Sequence, residues 1–173
     1  MKIKITRFIL IATAFLLYSC DEDGYADYDP GETLTQKFAG EWYIVGYTPD
    51  GEVAYADQGG DYNLWSTYNT AANNENFWID DHGSFFELKT QVQANLANLT
   101  FSGQENAPEV ITGGTVTIRN GKILEKAGRA AVSRTLVDSI YFEAEFDWDP
   151  GVIYTFGGHE RTGFEEDDDP HIN

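Results

Sequence analysis

The stretch from Val137 to Trp148 constrains the fold more than any other. Ile140, Phe142, Ala144, Phe146 and Trp148 alternate with Tyr141, Glu143, Glu145 and Asp147. A period of two sends successive side chains to opposite faces of an extended chain, so this segment has one dry face and one wet face. A helix cannot gather those residues on one side. Asp149-Pro150-Gly151 then turns the chain, and Val152 to Phe156 returns antiparallel, ending at Gly157-Gly158-His159.

Similar signals run through the rest of the chain. Thr33 to Ala39 reads as a short helical turn feeding Gly40-Glu41-Trp42. Trp42 to Thr48 and about Asp61 to Tyr68 are rich in aromatic and β-branched residues and read as the first two strands. Asn76 to Asp80 is a third, with Phe77 and Ile79 on one face and Trp78 on the other. After a turn at Asp80-Asp81-His82-Gly83, Phe86, Leu88, Thr90, Val92 and Ala94 alternate with polar residues and predict one long strand, continued by Leu99 to Ser102. Thr115 to Arg119 and Lys122 to Glu125 flank Asn120-Gly121, a pair that accepts positive φ and predicts a hairpin with Ile118 facing Ile123. The sum is eight or nine short strands in sequence order with no long helix. The expected fold is all-β, an up-and-down antiparallel meander closed into an eight-stranded barrel. A two-sheet β-sandwich is the alternative that the pattern leaves open.

The N-terminus has a different character. Lys2, Lys4 and Arg7 precede a ten-residue apolar segment, Phe8 to Leu17. That is too short for a bilayer core, which takes about 20 residues, and suits a signal peptide. It ends Leu17-Tyr18-Ser19-Cys20, which resembles the bacterial lipobox. Cys20 is therefore the expected lipid attachment site, and it is the only cysteine. No intrachain disulfide can form, so the fold must hold by packing. The expected organisation is a signal peptide over 1–19, a lipidated acidic tether over 20–32, a β-barrel domain over 33–164 and a loose acidic tail over 165–173.

Charge excludes one class of partner. The formal net charge is −18, and three of the 11 basic residues lie in the signal while no acidic one does. A surface this negative repels phosphate backbones, so nucleic acid is not an expected partner.

Gly40-Glu41-Trp42 matches the Gly-x-Trp opening of calycins, the lipocalin-like barrels. Tyr68-Asn69-Thr70-Ala71-Ala72, Phe77-Trp78-Ile79-Asp80-Asp81, Asn98-Leu99-Thr100-Phe101, Asp138-Ser139-Ile140-Tyr141-Phe142 and Gly158-His159-Glu160-Arg161-Thr162-Gly163-Phe164 together resemble a family of small Bacteroidetes lipoproteins described as lipid-binding putative hydrolases. Asp21-Glu22-Asp23, directly after Cys20, resembles the surface-export signal of lipoproteins from the same bacteria. The resemblance implies a calycin-like barrel, an outer-membrane lipid anchor with exposure at the cell surface, and an apolar or lipid-like ligand. It carries no catalytic motif to transfer.

Read for chemistry, the residues point to binding rather than catalysis. Gly-x-Ser-x-Gly is absent, and the histidines are His82, His159 and His171. Asp80, Asp81, His82 and Ser84 spell a Ser-His-Asp set, but neighbours on one turn rarely converge, so this reads as a solvated turn. Asp147 and Asp149 lack a calcium-loop pattern, and no metal site or cofactor is assigned. The expected ligand contacts are the inward residues Trp42, Phe86, Leu88, Phe142 and Phe146, with His159 and Arg161 holding a polar head near the barrel mouth. Two other functions stay open: a surface hydrolase of lipid or glycan, and a non-catalytic accessory of a surface complex with a protein partner.

Overall fold

Residues 32–168 are described by a computed structural model of the chain. Cys20, the expected signal and nearly all of the tether lie outside them, as do residues 169–173 with His171. Nine strands follow in chain order: β1 (Gly40–Tyr47), β2 (Asn63–Asn69), β3 (Asn76–Asp80), β4 (Lys89–Asn95), β5 (Thr100–Ser102), β6 (Ala107–Pro108), β7 (Thr115–Arg129), β8 (Leu136–Phe146) and β9 (Tyr154–Glu160). Their spatial order is β5-β4-β3-β2-β1-β9-β8-β7, with β6 added beside β7. Phe101 and Gly121 pair β5 back onto β7, which closes eight strands into an antiparallel barrel. Closure removes the unpaired edges that a meander would otherwise expose. The sandwich alternative does not form.

The alternation in β8 does what its period requires. Ile140, Phe142, Ala144 and Phe146 are at most 2% exposed, while Tyr141, Glu143 and Glu145 line the outer face. Inside, Phe142 stacks on Phe156 at 4.7 Å, Phe86 stacks on Phe146 at 5.7 Å, and Trp65 touches Phe142 and Phe156. Each buried aromatic ring contributes on the order of 2–3 kcal/mol of transfer free energy. The 3₁₀ turn Gln36–Phe38 drops the fully buried Phe38 onto Phe77 and Phe101, plugging one end of the barrel. Phe86 fills the other end. Its ring fits because residue 46 is glycine: a Cβ there would sit 2.7 Å from it.

Several expectations need correction. The long strand from Phe86 is broken, and β4 starts only at Lys89. The reason is Asp81, a fully buried side chain that accepts amide hydrogens from Gly83, Leu88 and Phe86 at 3.0, 2.8 and 3.2 Å. It wraps residues 81–88 into a loop with Glu87 at positive φ. Asn120-Gly121 makes no hairpin. Ile118 pairs with Ala144 and Ile123 with Ile140, within one continuous β7. The dipeptide is a β-bulge, with Asn120 left-handed at φ 55° and Gly121 in contact with the Phe101 ring. Only Asn120 of the pair adopts positive φ, and a bulge uses that preference as well as a turn does.

At the C-terminal end, the returning strand expected over Val152 to Phe156 starts at Tyr154 and continues through Gly157-Gly158-His159 to Glu160. Trp148, expected inward, lies beyond β8 and is 47% exposed. The tail is not loose at its start. Glu165–Asp167 forms a 3₁₀ turn, and buried Asp167 accepts hydrogen bonds from Val132, Ser133 and Thr162.

Candidate functional site

The expected ligand contacts fall into two separate places. Trp42, Phe86, Leu88, Phe142 and Phe146 do converge, but in a packed interior: none is more than 6% exposed. The void beside Phe86, against Ile44, Ala54 and Trp65, is about 10 Å³. That is room for one water at most. A ligand at these residues would have to displace rings.

His159 and Arg161 lie outside the barrel, away from those five. His159 pairs with outward-facing Tyr43, and its ring packs between Tyr43 and Tyr62 at 5.8 and 5.5 Å. Burial lowers its pKa, with Asp167 pulling weakly the other way. Arg161 is already neutralised: its guanidinium bonds Asp168 twice at 2.7 Å and Glu41 at 2.6 Å. The structure therefore gives this pair a packing and latching part.

The outer wall of β2, β3 and β4 carries a denser polar cluster. Asp80 is paired across the sheet with Ser66 on β2 and Lys89 on β4, so all three side chains share the outer face. Asp80 is buried at 6% exposure. It bonds Lys89 Nζ at 2.7 Å and Tyr68 Oη at 2.7 Å, and accepts the His82 amide hydrogen at 2.9 Å. Burial works against its charge, but these donors outweigh it and hold the carboxyl below its usual range. The same contacts push the Lys89 ammonium pKa up, led by its bond to Asp80. His82 sits at φ 59°, and its ring Nε2 lies 2.9 Å from Ser66 Oγ.

Beside this cluster the wall opens. β5 leaves β4 at Ser102, and the chain meets β4 again only where Thr90 Oγ1 donates to the Pro108 carbonyl and Val110 N to the Lys89 carbonyl. Glu109 fixes the return. Its buried carboxyl accepts the amide hydrogens of Lys89, Ile111 and Thr112 and the Thr112 hydroxyl. Burial opposes its charge, but those four donors lower its pKa. The gap is a groove of about 530 Å³ with Trp78, Val92, Ala107, Pro108 and Val110 as its apolar lining. The remaining lining comes from Asn, Gln, Thr, Ser and Gly residues, without one charged side chain. Ligand sites typically occupy 300–1,000 Å³ and combine apolar walls with a few polar groups.

Two other concavities are more polar or more charged. One lies over β4, β5 and β7, about 1,130 Å³ and open, with Glu75, Lys122 and Glu143 among its walls. The other, about 530 Å³, lies at the Phe86 end between Tyr55, Phe85, Trp148, Glu87 and Asp147. Tyr55 stacks on Phe85, and Trp148 on Phe146. Among the described residues no cluster of His, Cys, Asp and Glu has metal-ligand geometry.

Sequence reasoning missed Ser66, Lys89, Trp78, Pro108 and Val110 as site residues. Ser66 is 16 positions from His82 and reaches it only through β2–β3 pairing. The one available signal is the turn Asp80-Asp81-His82-Gly83, and the serine that meets His82 is Ser66 rather than the adjacent Ser84. Among curated proteins none matches the chain significantly. A family model does match, over residues 27–165. The chain belongs to the family described as lipid-binding putative hydrolases.

Proposed function

We propose that the protein is an exported lipoprotein, anchored to the outer membrane through Cys20 and exposed at the cell surface, that binds an uncharged, lipid-like ligand on the barrel wall. The anchor rests on the basic and apolar N-terminal run that ends at Cys20. The binding site rests on one observation: in a chain of net charge −18, the groove beside Trp78 has no charged lining residue. Apolar chain segments gain about 25 cal/mol per Å² on leaving water, and such a groove imposes no unpaired charge on them. The amides of Asn76, Gln91, Gln93 and Gln104 supply donors and acceptors for an ester or hydroxyl.

A second location has its own support. The void beside Phe86 lies under the aromatic mouth formed by Tyr55, Phe85 and Trp148. Rotation of Phe86 would join mouth and interior, and would bring the apolar ligand to Phe142 and Phe146.

Native mass spectrometry with solvent extraction, on protein purified from Asp21 onward, tests the reading. A stoichiometric apolar molecule is the expected result. Val110→Asp should release it if the groove is the site, and Phe86→Trp if the interior is. A clean apo mass after exposure to a lipid mixture would overturn ligand binding and favour the accessory role with a protein partner.

A further inference from the structure

We propose that Ser66, His82 and Asp80 form a hydrolytic site on the outer wall, with carboxylic esters of lipid-like chains as substrates. The hydrolysis itself rests on the geometry of these three residues. The chain-length preference rests on the groove reading above.

The parts come from different elements, as such sites require. Ser66 is the central residue of β2, facing Asp80 across the sheet. His82 is two residues beyond Asp80, and its left-handed backbone, followed by Gly83 at φ 70°, folds the turn back over β2. A histidine at positive φ is strained, and strain of this kind concentrates at functional sites. The result is Ser66 Oγ at 2.9 Å from His82 Nε2, with His82 Nδ1 at 3.9 Å from Asp80 Oδ1. The carboxylate favours the tautomer that carries its proton on Nδ1, which leaves Nε2 as the acceptor for the serine hydroxyl. The Nδ1 contact must shorten by about 1 Å to become a hydrogen bond, and such contacts are often long before substrate binds. Asp80 cannot drift away, because Lys89, Tyr68 and the His82 amide hold it.

The chemistry closes with water as the only co-reactant. Ser66 Oγ bonds to the ester carbonyl carbon while its proton passes to His82 Nε2. The carbon–oxygen bond to the alcohol breaks, and the alcohol takes that proton. Water then attacks the acyl-serine and gives a proton to Nε2. The serine–acyl bond breaks, the serine oxygen recovers the proton, and a carboxylic acid leaves. His82 is half exposed, so water reaches it. The groove is close enough to take the chain. Its Trp78 ring lies 5.9 Å from Lys89 Nζ, which bonds Asp80. The lack of charge in the groove disfavours phosphodiesters and favours neutral esters.

The test uses the full chain in a maltoside detergent, which contains no ester. Turnover of p-nitrophenyl acetate and octanoate is measured beside labelling by a fluorophosphonate, read as intact mass. The expected result is turnover with one label on Ser66. Ser66→Ala and His82→Ala should each lower kcat/KM by about 100-fold or more, at unchanged Tm. Asp80→Asn, a positioning change, should lower kcat and leave KM alone. Folded protein that neither hydrolyses acetate nor takes the label overturns the proposal, even if lipid still co-purifies. Acetate and octanoate hydrolysed equally, with loss in Ser66→Ala, would uphold the triad and overturn the groove.

Discussion

The inside of the barrel and its β2–β3–β4 wall are built on opposite terms. Inside, rings from six strands and two turns fill nearly all the space, and the void beside Phe86 holds about 10 Å³. On the wall, carboxyl groups are buried and spent on fixing loops: Asp81 on residues 83–88, Glu109 on residues 111–112, Asp80 on Lys89 and His82. The interior maximises contact and leaves nothing for chemistry to act on. The wall gives up ladder pairing to gain a groove, a strained histidine and oriented polar atoms. A small closed barrel need not be hollow to present a site, because eight strands leave an interior that side chains can fill.

The contrast is open to direct attack. Phe142→Ala should be the most damaging change, costing about 4 kcal/mol, because it empties a site that cannot collapse against Phe156 and Trp65. Urea denaturation reads this loss. A cost under about 1 kcal/mol would mean that the interior is loose enough to admit a ligand. Asp81→Ala should cost about 3 kcal/mol by stranding buried amides, and hydrogen exchange should speed up at Phe86 and Leu88 first. Val110→Asp touches only the wall. It should weaken ligand uptake about tenfold in mass-spectrometric titration, with stability unchanged within about 0.5 kcal/mol.

The smallest effect is one of pH. Hydrogen bonds from Ser133, Thr162 and Val132 overcome burial and hold Asp167 down to about 2. A depressed carboxyl stabilises the fold above the unfolded value near 3.9 and loses that contribution as pH falls toward the folded one. The latch between Asp167 and the β7–β8 connection should therefore open between about pH 4 and pH 2. Amide exchange at Val132 and Ser133 should rise there, while exchange within β8 stays slow.

Much of the fold was legible because it depends on local periodicity. The alternation in β8, the faces of Phe77, Trp78 and Ile79, and the turn at Asp149-Pro150-Gly151 all follow from which side chains share a side. The β7 bulge and the truncated β4 were not legible in the same way. Asn120-Gly121 reports a preference for positive φ, and turn and bulge both satisfy it. Asp81 breaks its strand through amides up to seven positions away, a contact that no period encodes. The candidate site was legible only in its turn. Asp80 and His82 stand out as neighbours, whereas Ser66 becomes their partner through the register of β2 on β3.

By itself, then, the sequence determined an all-β domain of alternating strands, strongly acidic, without a disulfide, and with the core residues of β8. Those properties are carried by single residues or by spacings of two. The tertiary structure alone decided that the barrel is filled, that His159 and Arg161 stand outside it, and that a serine meets His82. Each of these depends on ring volumes and strand register summed over the closed sheet, and only the closed sheet brings the residues concerned within reach of one another.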